Sequence, residues 1–315
     1  MTPMSTGFRR LVGLICALVV MVAACAPSSV DERNAFLSVM PIAQPTGTST
    51  PILGHSAPSS GTPTLATPSP ISAAAAMVFL DPGHGGVDTG TIGQTTDGQQ
   101  VEEKTIALAF ALQTATYLRK DGITVALSRT DDSLPGSTPA DYTADGTVLT
   151  PNGVLADLQR RIDRANASGA KVLLSIHLNA FASDPSVGGS QTFYDTARPF
   201  ADQNEKFAGL IQNTLIANLR AAGYDTPDRG ITDDTQLNTE SLTSFGSDYN
   251  HLVLLGPGVV GKLRASQMPG ALNESFFLSD PVEASAVVQP SMQDLVARSY
   301  CQAIEKFLDV SNGTC

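Results

Sequence analysis

From residue 77 onward, short apolar runs alternate with amphipathic helical stretches, and this rhythm constrains the fold more than any other feature of the chain. The strand-like runs are Met77–Leu80, stopped by Asp81-Pro82-Gly83, then Ile123–Ser128, Val172–Ile176, Gln191–Tyr194, and Ala271–Asn273 leading into Glu274. Between them lie helical stretches. Glu103–Lys120 lines up Ile106, Phe110, Gln113 and Tyr117 along one side and stops at Asp121-Gly122. Leu155, Leu158, Ile162 and Ala165 mark the next helix, which ends at Gly169; Phe207, Leu210, Ile211, Leu215 and Leu219 mark a longer one ending at Gly223. A closing helix spans Gln293–Leu308. The spacing predicts an α/β fold: a three-layer α/β/α single domain around a twisted, mostly parallel or mixed sheet of about six strands. The apolar run at 172–176 reads as a buried strand. Two stretches, 132–153 and 232–258, break the rhythm and read as surface insertions.

The chain before residue 77 has a different texture. Arg9 and Arg10 precede an apolar run of 14 residues, Leu11–Ala24. That is short for a membrane span, which needs about 20 residues, and suits the apolar region of a signal peptide. The run ends in Val22-Ala23-Ala24-Cys25, which resembles the lipobox of bacterial lipoproteins. Residues 1–25 are therefore expected to be a lipoprotein signal peptide, with Cys25 lipidated and the mature chain anchored to a membrane of the cell envelope. Residues 26–76 hold eight prolines among Ser, Thr, Ala and Gly, with Asp31, Glu32 and Arg33 as the only charges. Such a segment has too little periodic apolar content to offset its ordering entropy and reads as a tether. His55 falls within it.

The formal charge of −11 argues against nucleic acid as a partner, because phosphate contacts need a basic face. Of four cysteines, Cys16 lies in the signal segment and Cys25 in the lipobox. An exported chain would leave Cys301 and Cys315, 14 residues apart, as a candidate disulfide or as two free thiols.

The chain has four histidines, so any imidazole metal site draws on 55, 84, 177 and 251. His84 follows the first strand in Asp81-Pro82-Gly83-His84-Gly85-Gly86, and His177 follows the 172–176 strand in Ser175-Ile176-His177-Leu178-Asn179-Ala180. Glu103 opens a helix and Glu274 ends a late strand. In open α/β sheets, sites form beyond the carboxyl ends of strands, so these four residues can converge although remote in sequence. Two His and a carboxylate suit a catalytic zinc site with one position left for water. A further carboxylate, not a ligand, can carry the water proton. Asp81 reads either as a turn cap or as a group orienting a ligand. His251, in the second insertion, is expected to be a surface residue.

These motifs resemble the zinc-dependent N-acetylmuramoyl-L-alanine amidases, cell-wall enzymes with an Asp-Pro-Gly-His-Gly-Gly opening. The resemblance begins at Val78–Gly90 and continues through Glu103-Lys104, Ser128-Arg129-Thr130-Asp131-Asp132, Arg161, Ala165-Asn166 and Leu174–Ala180. It ends with Leu263-Arg264, Met268-Pro269 and Glu274–Asp280. It implies that His84, Glu103 and His177 hold one zinc ion per chain, and that Glu274 is the catalytic carboxylate. The substrate it implies is peptidoglycan, cut between the lactyl group of N-acetylmuramic acid and L-Ala of the stem peptide. Asn179 is a candidate for contacting substrate or supporting a ligand. Glu102 and Glu103 are adjacent, and the choice of Glu103 rests on Lys104 following it. Asn273 stands where the family usually has an apolar residue. Some members carry an insertion that covers the zinc until a partner protein removes it. The 232–258 stretch, with Asp233, Asp234 and Glu240, is the candidate for that role here, and an activator protein is a possible partner. Two other readings stay open: an inactive, amidase-like regulator of wall hydrolysis, and a zinc peptidase acting within the stem peptide.

Overall fold

A computed structural model describes residues 77–181, 183–236, 249–310, 313 and 315. The signal segment, Cys25, the tether with His55, and Glu240 lie outside the described residues. Those described form a single α/β domain with a six-stranded mixed sheet, as the alternation of runs predicts. Its strands are β1 (Val78–Pro82), β4 (Val125–Leu127), β5 (Val172–Asn179), β6 (Ser190–Tyr194), β7 (Asp228–Asp233) and β8 (Gly270–Phe277), in the order β4-β1-β5-β8-β6-β7. The first four in this order run parallel. β6 is antiparallel to β8, and β7 runs parallel to β6. β2 (Ile92–Gln94) and β3 (Gln100–Glu102) make a separate hairpin.

Five helices pack on this sheet: α1 (Glu103–Lys120), α2 (Pro151–Ser168), α3 (Ala201–Ala221), α4 (Pro281–Val287) and α5 (Pro290–Leu308). Their ends follow local chemistry. Thr150 caps α2 by accepting a hydrogen bond from the Gly153 amide at 3.0 Å, and Pro151 occupies the first turn. Gly169 closes α2 in the left-handed conformation, φ 66°, which glycine adopts without strain. Asp280 caps α4 through the Val282 amide.

Alternation along the strands splits the core into two layers. Val78, Leu80, Val172, Leu174 and Ile176 face α1, α3 and α5, against Phe110, Leu118, Phe207, Ile211, Leu215 and Tyr300. Phe79, Leu173, Phe193 and Leu272 face the other way, against Ile162 and Ala165 of α2 and the segment Leu252–Leu255. The stretch 232–258, expected as a surface insertion, thus supplies part of the core. Its first two residues end β7, and Tyr249 and Leu252–Leu255 are buried because β6 and β8 would otherwise expose apolar side chains on this face. The stretch 132–153 also departs from a plain surface loop: Leu134 and Asp141 are buried, and its last three residues begin α2. A disulfide joins Cys301 to Cys315 and ties the chain end to α5, with Cα atoms 5.7 Å apart.

Candidate functional site

β1, β5 and β8 are parallel neighbours, so their carboxyl ends open on one edge of the sheet. The register pairs Asp81 with Ser175 and His177 with Glu274. Paired residues share a sheet face, and this is the α2 side, since Asp81 accepts there from Ser175 Oγ and from Arg161 of α2. His84 comes from the loop after β1, and Glu103 from the first position of α1.

The three residues expected to hold a metal come together. Glu103 Oε1 lies 2.9 Å from His177 Nδ1 and 3.1 Å from His84 Nε2, and one donor atom from each residue fits within 4.8 Å of the others. The two imidazole rings meet edge to face, with centroids 4.9 Å apart. Glu103 is only 3% exposed, and backbone amides fix both of its oxygens: Leu178 N at 3.0 Å from Oε1 and Thr91 N at 2.8 Å from Oε2. The adjacent Glu102 faces Lys104 at 3.5 Å and is not part of the cluster.

Glycines make this approach possible. A methyl group at Gly83 would overlap the His177 ring; one at Gly90 would overlap the Glu103 carboxylate and the His84 ring. Gly90 also sits at φ 63°, where a side chain is strained. His84 itself adopts φ 60°, unusual for a non-glycine residue, and its surroundings hold it there.

That holding is done by buried cations. Arg161 donates to Pro82 O at 2.8 Å and His84 O at 2.6 Å, and pairs with Asp81 at 2.9 Å and Asp157 at 2.6 Å. Arg129 donates to Pro82 O, Gly83 O, Lys104 O and Asp131 O, all between 2.7 and 3.1 Å. Lys104 donates to Gly86 O at 2.7 Å and Asp132 at 2.9 Å, and Asp132 accepts from Gly86 N. Burial and the neighbouring Arg161 draw Arg129 down to about 10, still charged at neutral pH. Burial would raise the Asp81 carboxyl, but the Arg161 guanidinium brings it below the usual carboxylate range. Asp81 touches neither imidazole. It anchors Arg161, which holds the His84 carbonyl.

The partner of His84 is Asp88, to which no sequence pattern assigns a role. Asp88 Oδ2 lies 2.9 Å from His84 Nδ1, and Asp88 Oδ1 accepts from Gly90 N at 3.1 Å. The only available signal was a carboxylate four residues after the histidine.

Electrostatics separate the two glutamates. Burial works against ionisation of Glu103, but the His84 charge and the hydrogen bonds from both imidazoles hold it well below the usual range. His84 is raised: burial opposes its charge, and Glu103 and Asp88 together outweigh that. Glu274, 4% exposed, is pushed well up by burial and then by the Glu103 charge. Among the described residues its Oε2 has no hydrogen-bond partner. Asn179 is buried; its Oδ1 accepts from Ala180 N, its backbone O accepts from Leu278 N, and its Nδ2 has no partner among the described residues. Asn273, which departs from the family pattern, is satisfied by Tyr300 Oη at 2.6 Å, Thr192 Oγ1 at 2.8 Å and Gln191 O at 3.2 Å.

His251 is not a surface residue. Its side chain is 12% exposed, and its Nδ1 lies 2.7 Å from Asp195 Oδ2 and 3.4 Å from Asp234 Oδ1. No sequence pattern links His251 to Asp195, because Asp195 follows β6 and is remote from His251 along the chain. Asp234 is fully buried, and burial and then the Asp195 carboxylate push it up to about 9. Asp233 accepts from the Thr196 hydroxyl. Asp233 ends β7 and Asp234 follows it; β7 runs opposite to β8, so both lie at the far end of the sheet from Glu274 and do not cover the His84–Glu103–His177 cluster.

An imidazole–carboxylate–imidazole set with short donor distances, glycine clearance and a fourth carboxylate bearing a free oxygen suits a small divalent ion of the zinc type and its water. The comparisons with known proteins agree with this chemistry. A family model described as N-acetylmuramoyl-L-alanine amidase matches residues 78–306. The germination-specific N-acetylmuramoyl-L-alanine amidase of Bacillus subtilis is 31% identical over 231 residues, covering 73% of this chain and 79% of that protein. The amidase AmiA of Salmonella typhimurium is 31% identical over 242 residues, covering 72% and 74%. Among solved structures, an N-acetylmuramoyl-L-alanine amidase from Clostridium difficile 630 superposes with a TM-score of 0.52 at 30% identity, covering 76% of this chain and 99% of that one. The CwlD amidase of Clostridioides difficile, in complex with the GerS lipoprotein, gives 0.53 at 26% identity, covering 74% and 98%.

Proposed function

The chain belongs to the N-acetylmuramoyl-L-alanine amidase family, and from that premise we propose that it is a zinc-dependent peptidoglycan amidase in which His84, Glu103 and His177 hold the metal and Glu274 moves the proton. The bond cut is the amide between the lactyl group of N-acetylmuramic acid and L-Ala of the stem peptide. The observation that carries the reading is the convergence of three donor atoms beside a buried carboxylate with an unused oxygen.

The residues divide the work. Asp88 accepts from His84 Nδ1–H and so leaves Nε2, on the Glu103 side of the ring, as the nitrogen that would bind the metal. Amides of Thr91 and Leu178 hold the Glu103 carboxylate ionised and fixed. Zinc, when bound, supplies a Lewis acid that lowers the pKa of water from about 15.7 towards about 7 and polarises the scissile carbonyl. Glu274 takes a proton from the attacking water and delivers it to the departing L-Ala nitrogen. Its buried Oε2, without a hydrogen-bond partner among the described residues, is the oxygen left to carry that proton. An inactive regulator is disfavoured by the retention of all four groups.

The N-terminal reading extends the proposal. Arg9, Arg10, the run Leu11–Ala24 and Cys25 support export and lipid anchoring in the cell envelope. That the related CwlD was solved with a lipoprotein supports a protein partner for this chain too. Mass spectrometry of digested peptidoglycan tests the activity. New L-Ala amino termini released from intact glycan are expected; cuts only within the stem peptide, or none, would overturn the reading.

A further inference from the structure

A second cluster of metal-type donors lies away from the amidase centre. Asp195 directly follows β6, Asp234 opens the 3₁₀ turn after β7, and His251 begins the buried segment that covers this face of the sheet. One donor atom from each fits within 4.8 Å of the others. Both aspartates are fully buried.

The oxygens are arranged in pairs. Each carboxylate gives one oxygen to a backbone amide: Asp195 Oδ1 to Ala197 N at 2.6 Å, and Asp234 Oδ2 to Leu252 N at 2.9 Å. The remaining two, Asp195 Oδ2 and Asp234 Oδ1, both turn to the single Nδ1 of His251. Asp195 Oδ2 is 2.7 Å from that nitrogen, yet it is a buried oxygen with no hydrogen bond among the described residues. Among the described residues neither carboxylate pairs with Lys or Arg. The nearby Arg198 directs its guanidinium instead to Leu255 O, Gly256 O and Ser266. Two carboxyl groups buried this close to each other cannot both be ionised without a cation between them, and one imidazole proton cannot serve both.

We propose that Asp195, Asp234 and His251 form a second divalent-cation site, separate from the amidase centre. Two carboxylate oxygens and an imidazole nitrogen suit zinc or a similar first-row ion better than calcium, which takes more oxygens. The place of the site in the fold gives it a structural role. β6 is antiparallel to β8, and Glu274 is four residues from Gly270 at the other end of β8, so roughly 13 Å of strand separates the two centres. An ion there ties the ends of β6 and β7 to the chain that carries Leu252–Leu255 into the core. Gly256 closes against His251, where a methyl group would overlap the histidine Cβ.

Zinc titration of the untagged, chelator-stripped full chain against a chromophoric competitor tests this without reference to activity. Wild type is expected to take two equivalents, and a His84→Ala/His177→Ala variant one. Adding His251→Ala to that variant is expected to remove the last equivalent; Asp234→Asn, nearly isosteric, serves if His251→Ala does not fold. The zinc-loaded His84→Ala/His177→Ala protein is also expected to melt several degrees above its apo form. No zinc bound by the His84→Ala/His177→Ala variant, or one equivalent kept after the cluster is altered, would overturn the proposal.

Discussion

His84 Nδ1 lies 2.9 Å from Asp88 Oδ2, so the imidazole is held with Nε2 directed at Glu103, 3.1 Å away. The ring is thereby fixed by a residue on its own loop, and the loop is fixed by Arg129 and Arg161. Carboxylates behind a ligating histidine set its tautomer and basicity, and their loss weakens metal binding about 10–100-fold. Asp88→Ala is expected to lower zinc affinity at the amidase centre by that factor, read by competition with a chelator of known affinity. Asp88→Asn, which keeps a hydrogen-bond acceptor, should lose less.

Gly83 lies directly beneath His177. Gly83→Ala introduces a methyl group into the space the ring occupies, so His177 has to move or the loop has to shift. The arginine clamp on the Pro82 and Gly83 carbonyls resists the second route. Activity is expected to fall at least about a hundredfold, in line with the cost of misplacing a reacting group by about 1 Å. Circular dichroism should remain that of the folded protein, since the change is local.

Glu283 offers a pH test distant from catalysis. It is buried and accepts from Gly189 N, Thr226 Oγ1 and Phe277 N, joining β6, the turn before β7 and the end of β8. Burial outweighs these donors and pushes its carboxyl up from 4.5 to about 7. A raised folded-state pKa gives stability that is complete below the unfolded value and is lost as pH rises through the folded one. Between pH 4.5 and pH 7 the wild type should therefore lose about 3 kcal/mol of unfolding free energy from this group. Glu283→Gln cannot titrate, so its urea-unfolding curves at pH 5 and pH 8 should differ less than those of wild type.

The chain reveals some of this architecture openly and hides the rest for physical reasons. β1, β5 and α1 are legible because dense apolar runs end at strong stops, Asp81-Pro82-Gly83 and Asp121-Gly122. β7 is not, because Asp228–Asp233 holds a single aliphatic residue and is a strand only through pairing with β6. The β2–β3 hairpin and the short helix α4 are hidden for another reason: strands of three residues and a helix of seven repeat their pattern too few times to stand out. In the site, His84, Glu103, His177 and Glu274 stand out as reactive types near apolar runs or at a helix start, although His177 and Glu274 prove to lie within β5 and β8 rather than beyond them. The tasks of Arg129 and Arg161 were hidden because both bind backbone carbonyls remote in sequence, which no residue pattern encodes. The burial of His251 is not visible in the sequence because the burial of its loop depends on the apolar face of β6 and β8, a tertiary property.

On the proposed function, one divalent ion joins His84, Glu103 and His177 while Glu274 works beside it. Zinc content and peptidoglycan release, measured together on wild type, His177→Ala and Glu274→Gln, test it most directly. His177→Ala is expected to lose one zinc equivalent and its activity together. Glu274→Gln is expected to keep its zinc and lose activity by about 10²–10⁴-fold. Full release of L-Ala-terminated stems by chelator-stripped wild type, or by His177→Ala without that zinc, would contradict the account.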